Sequence, residues 1–199
     1  MTILYKVHEN LYVNLTNRCP CSCTFCLRQT RDEMENSGSL WLEREPSVDE
    51  VKREFNKFDI NQYKEVVFCG FGEPTERIDD LVEIAAFVKE KFNKPVRVNT
   101  NGLGSLIHKK DIAPLFKGVV DTVSISLNTP DRDKYFELTK NRFGKEAYDG
   151  LLNFAGEVKK YVPNVVLTTV ETTISKEEEE KCRKICEDLG VSYRIRAFE

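Results

Sequence analysis

The sequence predicts an α/β fold, a partial (β/α)6 barrel built on a parallel sheet, on three observations. Short runs rich in β-branched residues alternate with longer segments of helical period, six such runs occur, and the 199 residues fall short of the roughly 250 that a closed eight-stranded barrel uses. The runs at 11–17, 65–70, 96–100, 119–128, 165–172 and 191–197 are expected as strands. Between them, 47–58 is expected to be helical, because Ser47 and Glu50 suit a capping box and Val48, Val51, Phe55 and Phe58 recur three or four residues apart. A second helix at 78–92 places Leu81, Ala85, Val88 and Phe92 on one face, and a third is expected at 145–161. The fourth, 176–189, opens with Ser175 and Glu178 as another capping box and closes at Gly190. Right-handed crossovers wrap such a sheet, and its chemistry belongs at the C-terminal strand ends, where Cys19, Gly70, Asn101 and Asn128 fall.

Composition narrows the class further. With 40% hydrophobic and 32% charged residues, the chain suits one globular domain over 1–199. A net charge of −3 supplies no global basic field, which argues against a nucleic-acid partner held by backbone electrostatics. The N-terminal segment lacks a leader pattern and no apolar run reaches membrane-spanning length, so a cytoplasmic protein without a membrane partner is expected. Seven cysteines, four of them between 19 and 26, favour metal thiolates in a reducing compartment over a disulfide framework.

The cysteine segment directly follows the first expected strand and reads Asn17-Arg18-Cys19-Pro20-Cys21-Ser22-Cys23-Thr24-Phe25-Cys26. Three thiolates at Cys19, Cys23 and Cys26 suit three corners of an iron-sulfur cubane and leave the fourth iron without a protein thiolate. The rival is a zinc site made of Cys19, Cys21, Cys23 and Cys26. Structural zinc sites usually draw on two separated pairs, and four ligands this close together strain the loop. On the cubane reading Cys21 is a free thiol beside the cluster.

The spacing C-x3-C-x-aromatic-C after a first strand resembles the signature of the radical S-adenosylmethionine (SAM) superfamily, matched here by Cys19, Cys23, Phe25 and Cys26. The resemblance implies an oxygen-sensitive enzyme with a [4Fe-4S] cluster, chelation of the open iron by SAM, and reductive cleavage to methionine and a 5′-deoxyadenosyl radical. It also implies an electron donor such as flavodoxin or ferredoxin, and places Phe25 beside the adenine. Cys69-Gly70-Phe71-Gly72-Glu73-Pro74 is similar to the family's Gly-Gly-Glu-Pro element, with Phe71 in the first glycine's place, so Gly70, Gly72 and Glu73 are implied near the methionyl part of SAM. Asn99-Thr100-Asn101-Gly102 is a turn by composition and also resembles the element that contacts the ribose, which implicates Asn99. Ser126 and Asn128 at the next strand end are further SAM-site candidates. The fifth strand departs from the family pattern, with Thr169 and Thr172 where a glycine and a glutamate are common. Arg194 and Arg196 share one face of the last strand, and Arg196 is a candidate for a carboxylate of SAM or substrate.

Other features read as packing or solvation: Cys182 and Cys186 as a buried helical stripe, Cys69 as a strand core residue, and 176–181 as a solvated first helical turn. No general acid or base stands out, since Cys21, Tyr193 and Arg28 have no distinguishing partner in sequence. The cysteine loop, counted over 18–45, and the Gly-Phe-Gly-Glu-Pro-Thr turn look most like the TatD-associated radical SAM proteins, which implies a TatD-family partner. A peptide or protein substrate is expected, entering the lateral opening of a short barrel beneath the loop at 27–45. The alternatives are a small-molecule enzyme similar to 7-carboxy-7-deazaguanine synthase and a non-enzymatic zinc or redox module.

Overall fold

The computed structural model describes residues 1–35 and 37–197. Among the described residues, seven strands form one sheet in chain order: β1 Leu4–Val7, β2 Asn10–Val13, β3 Val66–Phe68, β4 Val96–Thr100, β5 Thr122–Ser126, β6 Asn164–Val170 and β7 Ser192–Arg196. From β2 to β7 every pairing is parallel, as expected for a (β/α)6 unit. The seventh strand is β1, which pairs antiparallel with β2 across a tight turn at His8, in the left-handed region at φ +52°. No Asn-Gly or Asp-Gly marks that turn, so the sequence carries no strong hairpin signal there.

Helices α1 Val48–Glu54, α2 Ile78–Phe92, α3 Gly104–His108, α4 Arg132–Thr139, α5 Glu146–Val158 and α6 Lys176–Leu189 follow the strands. Both expected capping boxes form, at Ser47 with Glu50 and at Ser175 with Glu178, and Gly190 ends α6 at φ +67°. The expected helix at 47–58 stops at Glu54 and continues as a 3-10 turn over Phe55–Lys57. Helix α4 is additional: Asp131 caps it through Lys134 N, but only Tyr135 and Thr139 of its residues are buried, so an apolar stripe is missing from its sequence. No helix among the described residues is long and apolar enough to cross a membrane.

Strand alternation divides the sheet into two unlike faces. Leu11, Val13, Val66, Phe68, Val96, Val98, Val123, Ile125, Val165 and Leu167 turn toward the helices and are buried with Leu81, Ile84, Leu151 and Cys182 in one core. Burying these branched side chains stabilises the fold by about 1.5–3 kcal/mol each. The opposite, concave face carries Tyr12, Val67, Arg97, Asn99, Ser124, Ser126, Val166, Thr168, Arg194 and Arg196 in register. A face this polar is poor core material, and it positions the site.

Cys182 and Cys186 pack in the helix-side core as expected, with burial pushing each thiol up to about 12. The run at 176–181 is less solvated than expected. Glu179 is buried and pairs with Lys176 at 2.8 Å, and Glu178 reaches Lys134 of α4 at 2.7 Å.

Candidate active site

The cysteine loop lies on the C-terminal rim, docked on α4. Its amides at Ser22 and Thr24 donate to the carbonyls of Thr139 and Leu138 at 2.9 Å, and Arg142 N donates to Pro20 O at 2.9 Å. The last carbonyls of a helix have no partner within it, so α4 offers acceptors that the loop takes up. From the other side Arg28 donates to Cys21 O at 3.0 Å and Phe71 O at 3.5 Å, and Gln29 Nε2 donates to Cys23 O at 2.5 Å. Arg28 therefore clamps backbone and is not poised as a general acid.

Within the loop, Cys19, Cys23 and Cys26 are half-buried, whereas Cys21 is 3% exposed and belongs to the core. The Cys21 thiol stands between its neighbours. Hydrogen bonds from Cys21 hold Cys19 and Cys23 below the ordinary thiol range, while those same bonds and burial push Cys21 up. Burial also raises Cys26. Asn101 Nδ2 approaches Cys21 Sγ at 3.7 Å and Cys19 Sγ at 3.9 Å. Among the described residues no three Cys, His, Asp or Glu side chains yet converge as metal ligands do. The donor set nonetheless fits an iron-sulfur cluster: three half-buried soft thiols on one loop, two of them inclined to the thiolate that a metal requires.

The turn after β3 is locked to that loop. A Cβ on Gly72 would lie 2.2 Å from Thr16 O and 2.7 Å from Arg18 O, so only glycine lets these backbones meet. Gly70 is similarly pressed against the Asn14 side chain. The close approach that both glycines allow is thus to the neighbouring chain.

Glu73, 4% exposed, joins this turn to the next strand end. Its Oε1 accepts from Thr75 N at 3.0 Å, Thr75 Oγ1 at 2.6 Å and Thr100 Oγ1 at 2.7 Å, and its Oε2 accepts from Asn101 N at 2.8 Å. Burial pushes this carboxyl above its usual range, against four hydrogen bonds that favour the charged form. The carboxylate is therefore committed to the protein.

The remaining expected residues fall on the concave side or its rim. Asn99 accepts from Arg97 at 3.0 Å, and Ser126 lies in register with Thr168. Asn128, in the left-handed region at φ +66°, is 5% exposed and its Oδ1 has no hydrogen-bond partner. A buried carbonyl oxygen without a donor fits a ribose hydroxyl. Phe25 is half-buried on the cysteine loop, and Arg196 ends β7 on the concave face. Thr169 is turned away, bonded to Tyr193 at 2.7 Å on the helix side, which removes Tyr193 as an acid or base for this site. Cys69, expected in the strand core, instead faces the concave side beside Asn99 and Arg97, where burial raises its pKa.

Sequence reasoning missed Tyr135 on α4. Its ring is fully buried against Tyr148, its hydroxyl has no partner, and burial followed by the charges of Cys21 and Cys23 pushes its pKa well above the ordinary value. An orphaned buried hydroxyl costs about 1–3 kcal/mol. Tyr135→Phe is therefore expected to stabilise the cluster-free protein by about 1 kcal/mol. Thermal unfolding should show a rise of about 2–4 °C, and a fall would mean that the hydroxyl has a partner in solution.

The Radical SAM superfamily model matches residues 13–189. A GTP 3',8-cyclase of Corynebacterium glutamicum is 33% identical over 145 residues, covering 68% of this chain and 35% of that protein. A protein of Methanocaldococcus jannaschii, provisionally named a glycyl-radical enzyme activating enzyme, is 31% identical over 188 residues, covering 91% of this chain and 70% of its own. Among solved structures, Streptococcus suis SuiB bound to its precursor peptide SuiA superposes with a TM-score of 0.72 at 18% identity, over 98% of this chain and 40% of that one. The chain thus spans about a third of the length of the Corynebacterium glutamicum cyclases.

Proposed function

Because the chain belongs to the Radical SAM superfamily, whose enzymes use a [4Fe-4S] cluster and SAM, we propose that it cleaves SAM reductively to abstract hydrogen from a peptide or protein substrate. The observation that carries this reading is the C-terminal rim, where the thiols of Cys19, Cys23 and Cys26 share one edge of the sheet with the unpartnered Asn128 Oδ1. When bound, the two cofactors supply a 5′-deoxyadenosyl radical from one electron of an external donor such as flavodoxin or ferredoxin. The chain's own part is to hold and align. Cys19, Cys23 and Cys26 would hold the cluster, with Asn101 placed beside Cys19 and Cys21. Gly72 and Glu73 keep the β3 and β4 rims together where the methionyl part would lie, Asn128 would accept from the ribose with Asn99 and Ser126 alongside, and Phe25 would flank the adenine.

The relative named for glycyl-radical enzyme activation supports a protein substrate, since it matches most of this chain and most of its own length. The narrower likeness to TatD-associated proteins, with a TatD-family partner, rests on the cysteine loop and the Gly-Phe-Gly-Glu-Pro-Thr turn. A second reading, a small-molecule substrate, is favoured by the arginines of the concave face and by the GTP 3',8-cyclase relatives.

Anaerobic reconstitution with iron and sulfide, dithionite reduction and addition of SAM should yield 5′-deoxyadenosine. Deuterium transfer from labelled candidate peptides into that product then tests the substrate. A colourless, zinc-bound protein that never cleaves SAM would overturn the reaction.

A further inference from the structure

Helix α4 ends against the cysteine loop. Ser22 N and Thr24 N donate to the carbonyls of Thr139 and Leu138, so Cys23, between them, is held over the last turn of the helix. One turn earlier on the same helix face stands Tyr135, whose carbonyl accepts from Thr139 Oγ1 at 2.8 Å. Its side chain belongs, with Cys21, to the core against which Cys19 and Cys23 pack. The hydroxyl is buried and has no hydrogen-bond partner among the described residues. After burial itself, the thiols of Cys21 and then Cys23 act on it most strongly, and the phenol keeps its proton and so remains a donor. Packing alone does not account for this group. A phenylalanine ring would fill the same space against Tyr148 without leaving a polar atom orphaned. The nearby sulfurs are already engaged with one another, since Cys19 and Cys23 both take hydrogen bonds from the Cys21 thiol. A buried donor left over beside the cysteine loop points to an acceptor that arrives with the metal.

We propose that the Tyr135 hydroxyl is a built-in hydrogen-bond donor to the iron-sulfur cluster, directed at a cluster sulfur on the Cys23 side, and that it raises the cluster's reduction potential. The inference rests on the cluster of the proposed reaction and adds to it a residue that sets how readily the electron enters. Uptake of one electron from the external donor adds one negative charge and moves no proton, and a hydroxyl dipole turned toward sulfur stabilises that extra charge. Asn101 Nδ2, 3.7 Å from Cys21 Sγ and 3.9 Å from Cys19 Sγ, is a second donor group on the β4 side of the same loop. In the cluster-free chain the hydroxyl weakens the fold, and in the loaded protein the same group serves the redox centre.

The test is an anaerobic redox titration of the reconstituted protein without SAM, followed by the electron paramagnetic resonance signal of the reduced cluster, in wild type and Tyr135→Phe at matched iron and sulfide content. The Phe variant should hold the same cluster with a reduced-to-oxidised ratio about tenfold lower at a given potential, a midpoint lower by about 59 mV. Cys21→Ala, which keeps the three ligand thiols, separates the acceptors: adding Tyr135→Phe to it should produce the same shift. Equal midpoints in wild type and Tyr135→Phe, or a higher one in the variant, overturn the donor. A shift that vanishes in the Cys21→Ala background overturns it too, by assigning the hydrogen bond to the Cys21 sulfur. A wild type that takes up no iron-sulfur cluster removes the donor together with the reaction. A lowered midpoint without any 5′-deoxyadenosine from added SAM would leave the donor standing and sink the reaction, whereas 5′-deoxyadenosine with equal midpoints would do the reverse.

Discussion

Cys19→Ala, Cys23→Ala and Cys26→Ala are each expected to lose the visible absorbance of the reconstituted cluster and to lower 5′-deoxyadenosine formation at least about a thousandfold, while Cys21→Ala keeps both. The contrast follows from placement. Cys21 is 3% exposed and packs with the core, held there by Arg28 on its carbonyl and Asn101 beside its sulfur. Its three neighbours are only half-buried on the same loop. Removing one of them leaves too few thiolates for a site-differentiated cubane, whereas removing Cys21 deletes one buried sulfur at a cost of about 1 kcal/mol. Iron and sulfide analysis of all four variants decides the matter. Loss of iron from Cys21→Ala together with retention in Cys19→Ala would mean that the ligand triplet is misassigned.

The second large effect is on folding. Glu73→Ala should destabilise the cluster-free protein by roughly 2–6 kcal/mol, because the amides of Thr75 and Asn101 lose their acceptor and each orphaned buried donor costs about 1–3 kcal/mol. That is a large part of the ~5–15 kcal/mol that holds a domain together. Glu73→Gln cannot rescue it fully. One backbone N–H meets each carboxylate oxygen, so whichever way the amide is turned its NH2 faces a donor. Urea unfolding should therefore rank wild type above Gln and Gln above Ala. An Ala variant within about 0.5 kcal/mol of wild type would show that water takes over these contacts.

Much of this was legible in the sequence where a local rule and a global one coincide. The capping boxes at Ser47 and Ser175, the β-branched strands and the strand-end cysteines announce themselves, because each signal is contained in a few neighbouring residues. The functions of Gly72 and Glu73 were less so. Their positions were visible, but nothing local says that Gly72 meets Thr16 O or that Glu73 bonds Asn101, contacts that exist only once the strands are adjacent. Tyr135 was hidden because its helix has almost no apolar stripe, and Arg97 because a single arginine in a strand reads as solvated until β7 brings two more to the same face. The hairpin strand β1 escaped because its turn uses His8 in a conformation that asparagine or glycine normally signals.

The docking of the cysteine loop on α4 bears on how a cluster would arrive. Thr139 and Leu138 already fix the loop's amides, and Pro20, Cys21 and Cys23 already have their carbonyls engaged. The entropy of ordering this segment is therefore spent during folding, before any iron is present. Where a small zinc module unfolds without its ion, this chain holds the loop backbone in place beforehand and leaves the ligand side chains to gather on the metal, so less of the free energy of metal capture is spent on ordering the segment.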